Sequence, residues 1–294
     1  MNIQTIMAYL RLFRYKNLLI TIMVQLMVYF CLVEGFLHIP PRSLLLLIGG
    51  TILIASAGYI INDIYDLKAD IINRPDTVLL GQRIKIRTAM YIYVGFNLLA
   101  LYFGFLLYWK FHMGVKFFLM FSAVSFILFL YAVKIKRTPL FGNFVVALLL
   151  AFVLIIVWIY KQGSHPELLL LYASFAFLTG IIRELLKDIE DMDGDKKAGF
   201  KTFPLKFGVQ KSKNLVQNLT IVQIIALIIF SVLVYGLTAY WALMVYFFIL
   251  VLIPLSLTLY LIPKAETKND FEQLTRFIKF IVVTGTVSMF ALLF

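Results

Sequence analysis

Oxygen-bearing side chains gather in two blocks of this sequence. The first, NDIYDLKADIINRPD, runs from Asn62 to Asp76 and follows a long stretch without formal charge. Asn62, Asp66 and Asp70 stand at i, i+4 and i+8, so they share one face if the preceding helix continues, while Asp63 points elsewhere. Like charges at that spacing repel, and carboxylates beside a membrane are costly unless compensated. A divalent cation removes both objections. The second block, GIIRELLKDIEDMDGDKKAGFKT, spans Gly180 to Thr202. Glu184, Asp188, Asp191 and Asp195 stand at i, i+4, i+7 and i+11, again one helical stripe, with Glu190 and Asp193 off it.

Mg²⁺ takes hard oxygen ligands and is usually held by one or two carboxylates plus substrate phosphates. Two facing stripes could hold two such ions with a diphosphate between them. Arg74, Lys134, Lys136, Arg137, Lys187, Lys196, Lys197 and Lys201 flank the blocks and could neutralise the remaining phosphate charge. Arg74 and Lys134 are favoured among them, being close to a stripe or a helix end. The bland reading is two solvated loop ends with incidental charge. Two blocks matched in periodicity and side argue against it.

Helices must carry these stripes. The chain has 294 residues, 62% hydrophobic and 14% charged, too apolar to cover a soluble core of that size. Its apolar runs suit membrane-spanning helices and are far too long for barrel strands. Hydropathy predicts about nine spans, at 17–36, 43–62, 86–108, 114–133, 140–160, 167–186, 214–236, 240–262 and 271–293. The expected fold is an all-α polytopic bundle, read as a single domain over 1–294.

Of the 27 Lys and Arg, only Arg42, Lys110, Lys116 and Lys161 fall opposite the N-terminus. The positive-inside rule makes the N-terminal side cytoplasmic. Both acidic blocks, at the ends of spans two and six, then lie on that side. All acidic residues except Glu34 and Glu167 lie there too. The net charge of +12 reflects topology and affinity for anionic lipid headgroups, and needs no nucleic acid. In a prokaryote the membrane would be the plasma membrane. The segment before span one could lie in the interface as an amphipathic helix. Its basic residues precede a run too long for a signal peptide.

Other chemistry finds little support. A single cysteine, Cys31, excludes an internal disulfide and reads as apolar filler. His38, His112 and His165 lie far apart and receive no role. No Ser/His/Asp arrangement or glycine-rich nucleotide loop is present.

The two blocks resemble the motifs of the UbiA superfamily of intramembrane prenyltransferases. NDIYDLKAD is similar to its NDxxDxxxD motif, and DIEDMDGD, Asp188 to Asp195, to its second. Nine spans with the motifs ending spans two and six is that family's plan, and the resemblance covers essentially the whole chain. Two stretches most resemble the geranylgeranylglyceryl phosphate geranylgeranyltransferase branch of ether-lipid synthesis. One is DIINRP with Gly81 and Arg87 to Ala89; the other is RELLKDIEDMDGDKKAGFKTFPLKFG, Arg183 to Gly208. The loop RPDTVLLGQRI departs from the family pattern, lacking its second arginine-proline pair and its Pro-Ser-Gly turn.

The resemblance implies an Mg²⁺-dependent transfer of a prenyl group from a polyprenyl diphosphate to a lipophilic acceptor. It implies metal ligation by Asn62, Asp66, Asp70, Asp188, Asp191 and Asp195. Asp66, Asp70, Asp191, Asp195 and Lys134 become the expected catalytic set. Arg74, Lys134, Arg137, Lys187 and Lys197 become expected diphosphate ligands, and Arg14, Asn17, Tyr131 and Asn143 substrate contacts. The acceptor reads as geranylgeranylglyceryl phosphate, with an aromatic quinone precursor as the alternative. Beside these stand a cation transporter, whose acids would more naturally sit at mid-bilayer, and a non-catalytic membrane subunit that keeps the motifs as charge.

Overall fold

The computed structural model describes residues 3–35, 39–238 and 245–293, with the side chains of 233–238 and 293 excepted. Phe36 at the end of the first expected span, His38, and residues 240–244 of the eighth lie outside the described residues. Among the described residues, nine helices are long and apolar enough to cross a membrane: Tyr15–Glu34, Arg42–Asn73, Ile86–Trp109, Lys116–Val133, Phe141–Tyr160, Pro166–Glu190, Val209–Val232, Val245–Lys264 and Lys268–Leu292. The protein is an all-α, multi-pass integral membrane protein.

The helices are α1 (Ile3–Leu12), α2 (Tyr15–Met27, continued by a π-helical stretch Val28–Glu34), α3 (Arg42–Asn73), α4 (Ile86–Trp109), α5 (Lys116–Val133) and α6 (Phe141–Tyr160). They continue with α7 (Pro166–Glu190), α8 (Met192–Lys197), α9 (Phe203–Phe207), α10 (Val209–Thr238), α11 (Ile253–Leu261) and α12 (Lys268–Val287). Two compact units emerge. Unit one comprises Met1–Met23, Ile39–Arg137 and Asp193–Phe200; unit two comprises Val24–His38, Thr138–Met192 and Lys201–Phe294.

In unit one, α3, α4 and α5 pack on one another. Close approach depends on small residues, as is usual where lipid supplies no hydrophobic drive between helices. A Cβ on Gly50 would run into the Phe121 ring of α5. Ala8 and Leu12 of α1 are buried with Ile60, Leu80, Ile84 and Ala89. Ile3, Ile6, Met7 and Leu10 form the opposite, exposed stripe, which suits the interfacial position expected of this segment. Along α4 a longer stripe, Tyr91, Val94, Leu98, Tyr102, Phe105 and Trp109, is also exposed. Surfaces of this kind belong against lipid tails.

In unit two, α7 packs against α6, α10 and α12 and carries the most buried of the nine spans. Two pairs of buried polar side chains bond to each other there, as apolar surroundings favour. Gln223 of α10 donates to the Thr179 hydroxyl at 2.6 Å, and Tyr172 shares a hydrogen bond with Ser288 at 3.0 Å. Helix α12 begins at a capping box, with Asp270 N–H donating to Thr267 Oγ1 at 3.2 Å and Thr267 N–H to Asp270 Oδ2 at 2.8 Å.

Two boundaries matter for the site. The expected second span ends at 62, yet α3 runs on to Asn73, 32 residues in all. At 1.5 Å per residue that is about 48 Å, longer than a hydrocarbon core, so its charged last turns extend past the apolar part. Nothing between 62 and 73 breaks a helix; Pro75 does, by forcing Arg74 out of the α region. Arg74 has φ −149° and ψ 59°, and its N–H still closes onto the Asp70 carbonyl.

The second stripe, by contrast, is not one continuous helix. Helix α7 ends at Glu190, Asp191 turns, and α8 restarts at Met192. Acidic residues crowd the carboxyl end of α7, where the helix dipole opposes them. The restart moves Asp193 and Asp195 to the amino-terminal turn of α8, where the dipole favours them.

Candidate active site

The extension of α3 puts Asn62, Asp66 and Asp70 on successive turns at its end. Asn62 Nδ2 donates to Asp66 Oδ2 at 2.6 Å, which turns its own Oδ1 outward. Lys136, from the 3₁₀ turn Ile135–Arg137 that follows α5, donates to that Oδ1 at 3.1 Å and forms an ion pair with Asp66 Oδ1. The Lys136 side chain is only 7% exposed and that of Asp66 16%. The face of Phe200 lies 5.7 Å from the Lys136 ammonium and 5.2 Å from the Arg137 guanidinium. Amide oxygen, carboxylate and ring face together make a seat for a cation.

Asp63, off the stripe, pairs with Arg14 at 2.7 Å. The Arg14 guanidinium also lies over the Tyr59 ring, 4.8 Å from its centroid. Arg14 sits in the link between α1 and α2 with φ 53°, a left-handed conformation uncommon for a residue other than glycine. Burial works against its charge, but the adjacent Asp63 carboxylate more than offsets that and raises the Arg14 pKa.

The second motif begins in unit two. Asn143, in the first turn of α6 and 5% exposed, donates from Nδ2 to Asp188 Oδ2 at 2.8 Å. Arg183 pairs with its neighbour Glu184 at 2.8 Å. Asp191 closes α7, its N–H on the Lys187 carbonyl. The later part of the motif belongs to unit one, where buried Asn73 of α3 accepts the Gly194 N–H at 2.8 Å. Only glycine fits there, since a Cβ on Gly194 would come within 2.5 Å of the Ala69 carbonyl oxygen. Asp195 is 8% exposed, and its carbonyl accepts the Phe200 N–H at 2.9 Å. Thus the Asp195 segment and the α3 motif pack within one unit, with Phe200 delivered to Lys136 by the same turn.

The remaining candidates are more dispersed. Lys134, Arg137 and Lys197 are exposed, and Arg74, Lys187, Asn17 and Tyr131 are half-buried. Asn17 lies in the first turn of α2, where its carbonyl accepts the Thr21 hydroxyl. Lys136 was one of eight flanking cations in the sequence, with nothing to rank it above Lys134. Asn73 carried no signal beyond standing three residues past Asp70.

Among the described residues, no three His, Cys, Asp or Glu side chains converge as a ready-made metal cage. The donor set around Asp66 nevertheless fits Mg²⁺: hard amide and carboxylate oxygens, few in number, already bonded to a cation.

The chain matches the UbiA prenyltransferase family over residues 18–281. It is 37% identical over 174 residues to digeranylgeranylglyceryl phosphate synthase of Methanobrevibacter smithii, a match covering 57% of this chain and 59% of that relative's length. A solved structure described as digeranylgeranylglyceryl phosphate synthase in membranes aligns with TM-score 0.70 and 24% identity, covering 98% of this chain and 99% of that one. A UbiA homolog from Archaeoglobus fulgidus bound to GPP and Mg²⁺ aligns with TM-score 0.65 and 17% identity, covering 97% of this chain and 99% of that one. Motifs, helical plan and the extent of the family match lead to one conclusion: the chain belongs to the UbiA prenyltransferase family.

Proposed function

We propose that this protein transfers a prenyl group from a polyprenyl diphosphate to a lipophilic acceptor, and that the transfer is geranylgeranyl onto geranylgeranylglyceryl phosphate. The observation that carries the reading is the oxygen seat at the end of α3, where Asn62 and Asp66 hold the ammonium of Lys136. A seat of hard oxygens that holds a cation suits a divalent metal ion, which would in turn bind an anionic leaving group. The curated relative supports the choice of acceptor, and the Archaeoglobus homolog supports the choice of metal.

In this reading Asn62, Asp66 and Asp70 are Mg²⁺ ligands from the first motif, and Asp188, Asp191 and Asp195 from the second. Bound there, Mg²⁺ would supply Lewis-acid stabilisation of the departing diphosphate. The chain does the rest. Asn143 fixes the Asp188 carboxylate by the bond from its Nδ2. Arg74, Lys134, Arg137, Lys187 and Lys197 offset phosphate charge as the C–O bond to the diphosphate breaks. The acceptor hydroxyl oxygen attacks the allylic carbon and passes its proton to the departing diphosphate, and the apolar bundle keeps water from the cationic carbon. Arg14, Asn17 and Tyr131 serve substrate contacts, and the reaction faces the cytoplasm.

The test is transfer from labelled geranylgeranyl diphosphate by purified protein in nanodiscs with Mg²⁺. Parallel tubes hold geranylgeranylglyceryl phosphate, 4-hydroxybenzoate or 1,4-dihydroxy-2-naphthoate. Product in the first tube alone, abolished by EDTA and by Asp191→Ala, is expected. Product only with an aromatic acid would overturn the acceptor. Absence of product in every tube, with Mg²⁺ flux into sealed vesicles, would overturn the enzyme in favour of transport.

A further inference from the structure

We infer that Lys136 is a resident counter-ion of the first motif, one that a divalent cation must displace before it can bind. The inference rests on the metal reading of Asn62 and Asp66 given above. Its structural basis is the identity of the atoms involved. Lys136 engages Asn62 Oδ1 and Asp66 Oδ1, side-chain oxygens of two residues that would hold the metal. A metal ion bound there would face the ammonium across shared oxygens, and the two positive charges repel. Asn62 Nδ2 donates to Asp66 Oδ2, so both oxygens of that carboxylate already hold a donor.

The lysine is also placed to leave. It sits on a 3₁₀ turn of three residues rather than within α5, and its stem has four rotatable carbons. Phe200 offers the ammonium a ring face at 5.7 Å, so it can withdraw from the oxygens without losing every partner. Displacement therefore carries a cost when metal arrives alone, because a nearly buried ammonium loses a carboxylate. That cost falls when metal arrives with a diphosphate, because phosphate oxygens accept the freed ammonium. Lys136 thus makes metal and diphosphate bind cooperatively. It keeps free Mg²⁺ from occupying the first motif in the absence of donor.

The test is Mn²⁺ binding, followed by the EPR signal of free Mn²⁺, to protein in zwitterionic nanodiscs without any prenyl substrate. Lys136→Met is expected to bind Mn²⁺ alone about 5- to 150-fold more tightly than wild type, the usual span of coupling between two sites. Inorganic pyrophosphate should tighten Mn²⁺ binding to wild type more than to the variant. Equal or weaker Mn²⁺ binding by folded Lys136→Met overturns the exchange. A second readout needs no variant. Acylation of Lys136 by a water-soluble amine reagent, read by mass spectrometry, should rise with saturating Mg²⁺; a rate indifferent to Mg²⁺ also overturns the exchange. Asp66→Ala separates this proposal from the one beneath it. If that variant binds Mn²⁺ as wild type does, with and without pyrophosphate, the metal reading of the motif fails. If it loses binding while Lys136→Met leaves affinity unchanged, only the exchange fails.

Discussion

Asn73, one turn beyond Asp70 on α3, accepts the buried backbone N–H of Gly194 at 2.8 Å. A side chain adjoining the first motif therefore holds the main chain of the second. The contact is tight because Gly194 has no Cβ to keep Asn73 and Ala69 away.

Removing either partner is expected to destabilise that segment. Asn73→Ala leaves a buried N–H unpaired, at about 1–3 kcal/mol. Gly194→Ala overpacks the same contact, at about 1–3 kcal/mol. Thermal unfolding in detergent would measure both. Because they act on one contact, the double variant should lose clearly less than the sum.

Asp66→Ala removes more than a proposed metal ligand. It takes the carboxylate away from Lys136, whose side chain is almost as buried as a core group, and leaves the ammonium its weaker contacts with Asn62 Oδ1 and the Phe200 ring. The expected loss of stability is about 3 kcal/mol or more. Adding Lys136→Met should restore most of that stability and none of the prenyl transfer. Parallel unfolding and transfer assays on the single and double variants would check both halves.

Asn143 acts on Asp188 from the opening turn of α6. Asn143→Ala should lower prenyl transfer by about 10- to 100-fold, the usual effect of losing a group that orients a ligand. A raised Mg²⁺ requirement in the same assay would show that the effect runs through the metal. Unchanged Mg²⁺ dependence with a raised donor KM would instead make Asn143 a substrate contact.

The Arg14–Asp63 pair is only partly exposed, with side chains 34% and 22% accessible. A double-mutant cycle should give a coupling of about 0.5–1 kcal/mol, as for other solvent-screened pairs. Arg14→Lys should lose most of it, since an ammonium cannot both reach Asp63 and stack on Tyr59.

The sequence by itself determined the number of spans, the helical class and the two acidic motifs. Those features follow from local composition. A run of apolar residues has one way to satisfy its backbone in lipid, and carboxylates four residues apart share a face whatever packs nearby. Arg14 and Asn143 were legible as residues of interest from the resemblance alone. Their pairings with Asp63 and Asp188 were not, because each pair is separated by more than 40 positions along the chain. Only the tertiary structure chose Lys136, on the turn Ile135–Arg137, over Lys134, which caps α5, as the partner of Asp66. It alone divided the second stripe at Asp191, where a continuous helix would have held its acids at the wrong end of the dipole. It alone showed why Gly194 must be glycine, since that requirement comes from a neighbouring helix and leaves no mark in the residues beside it.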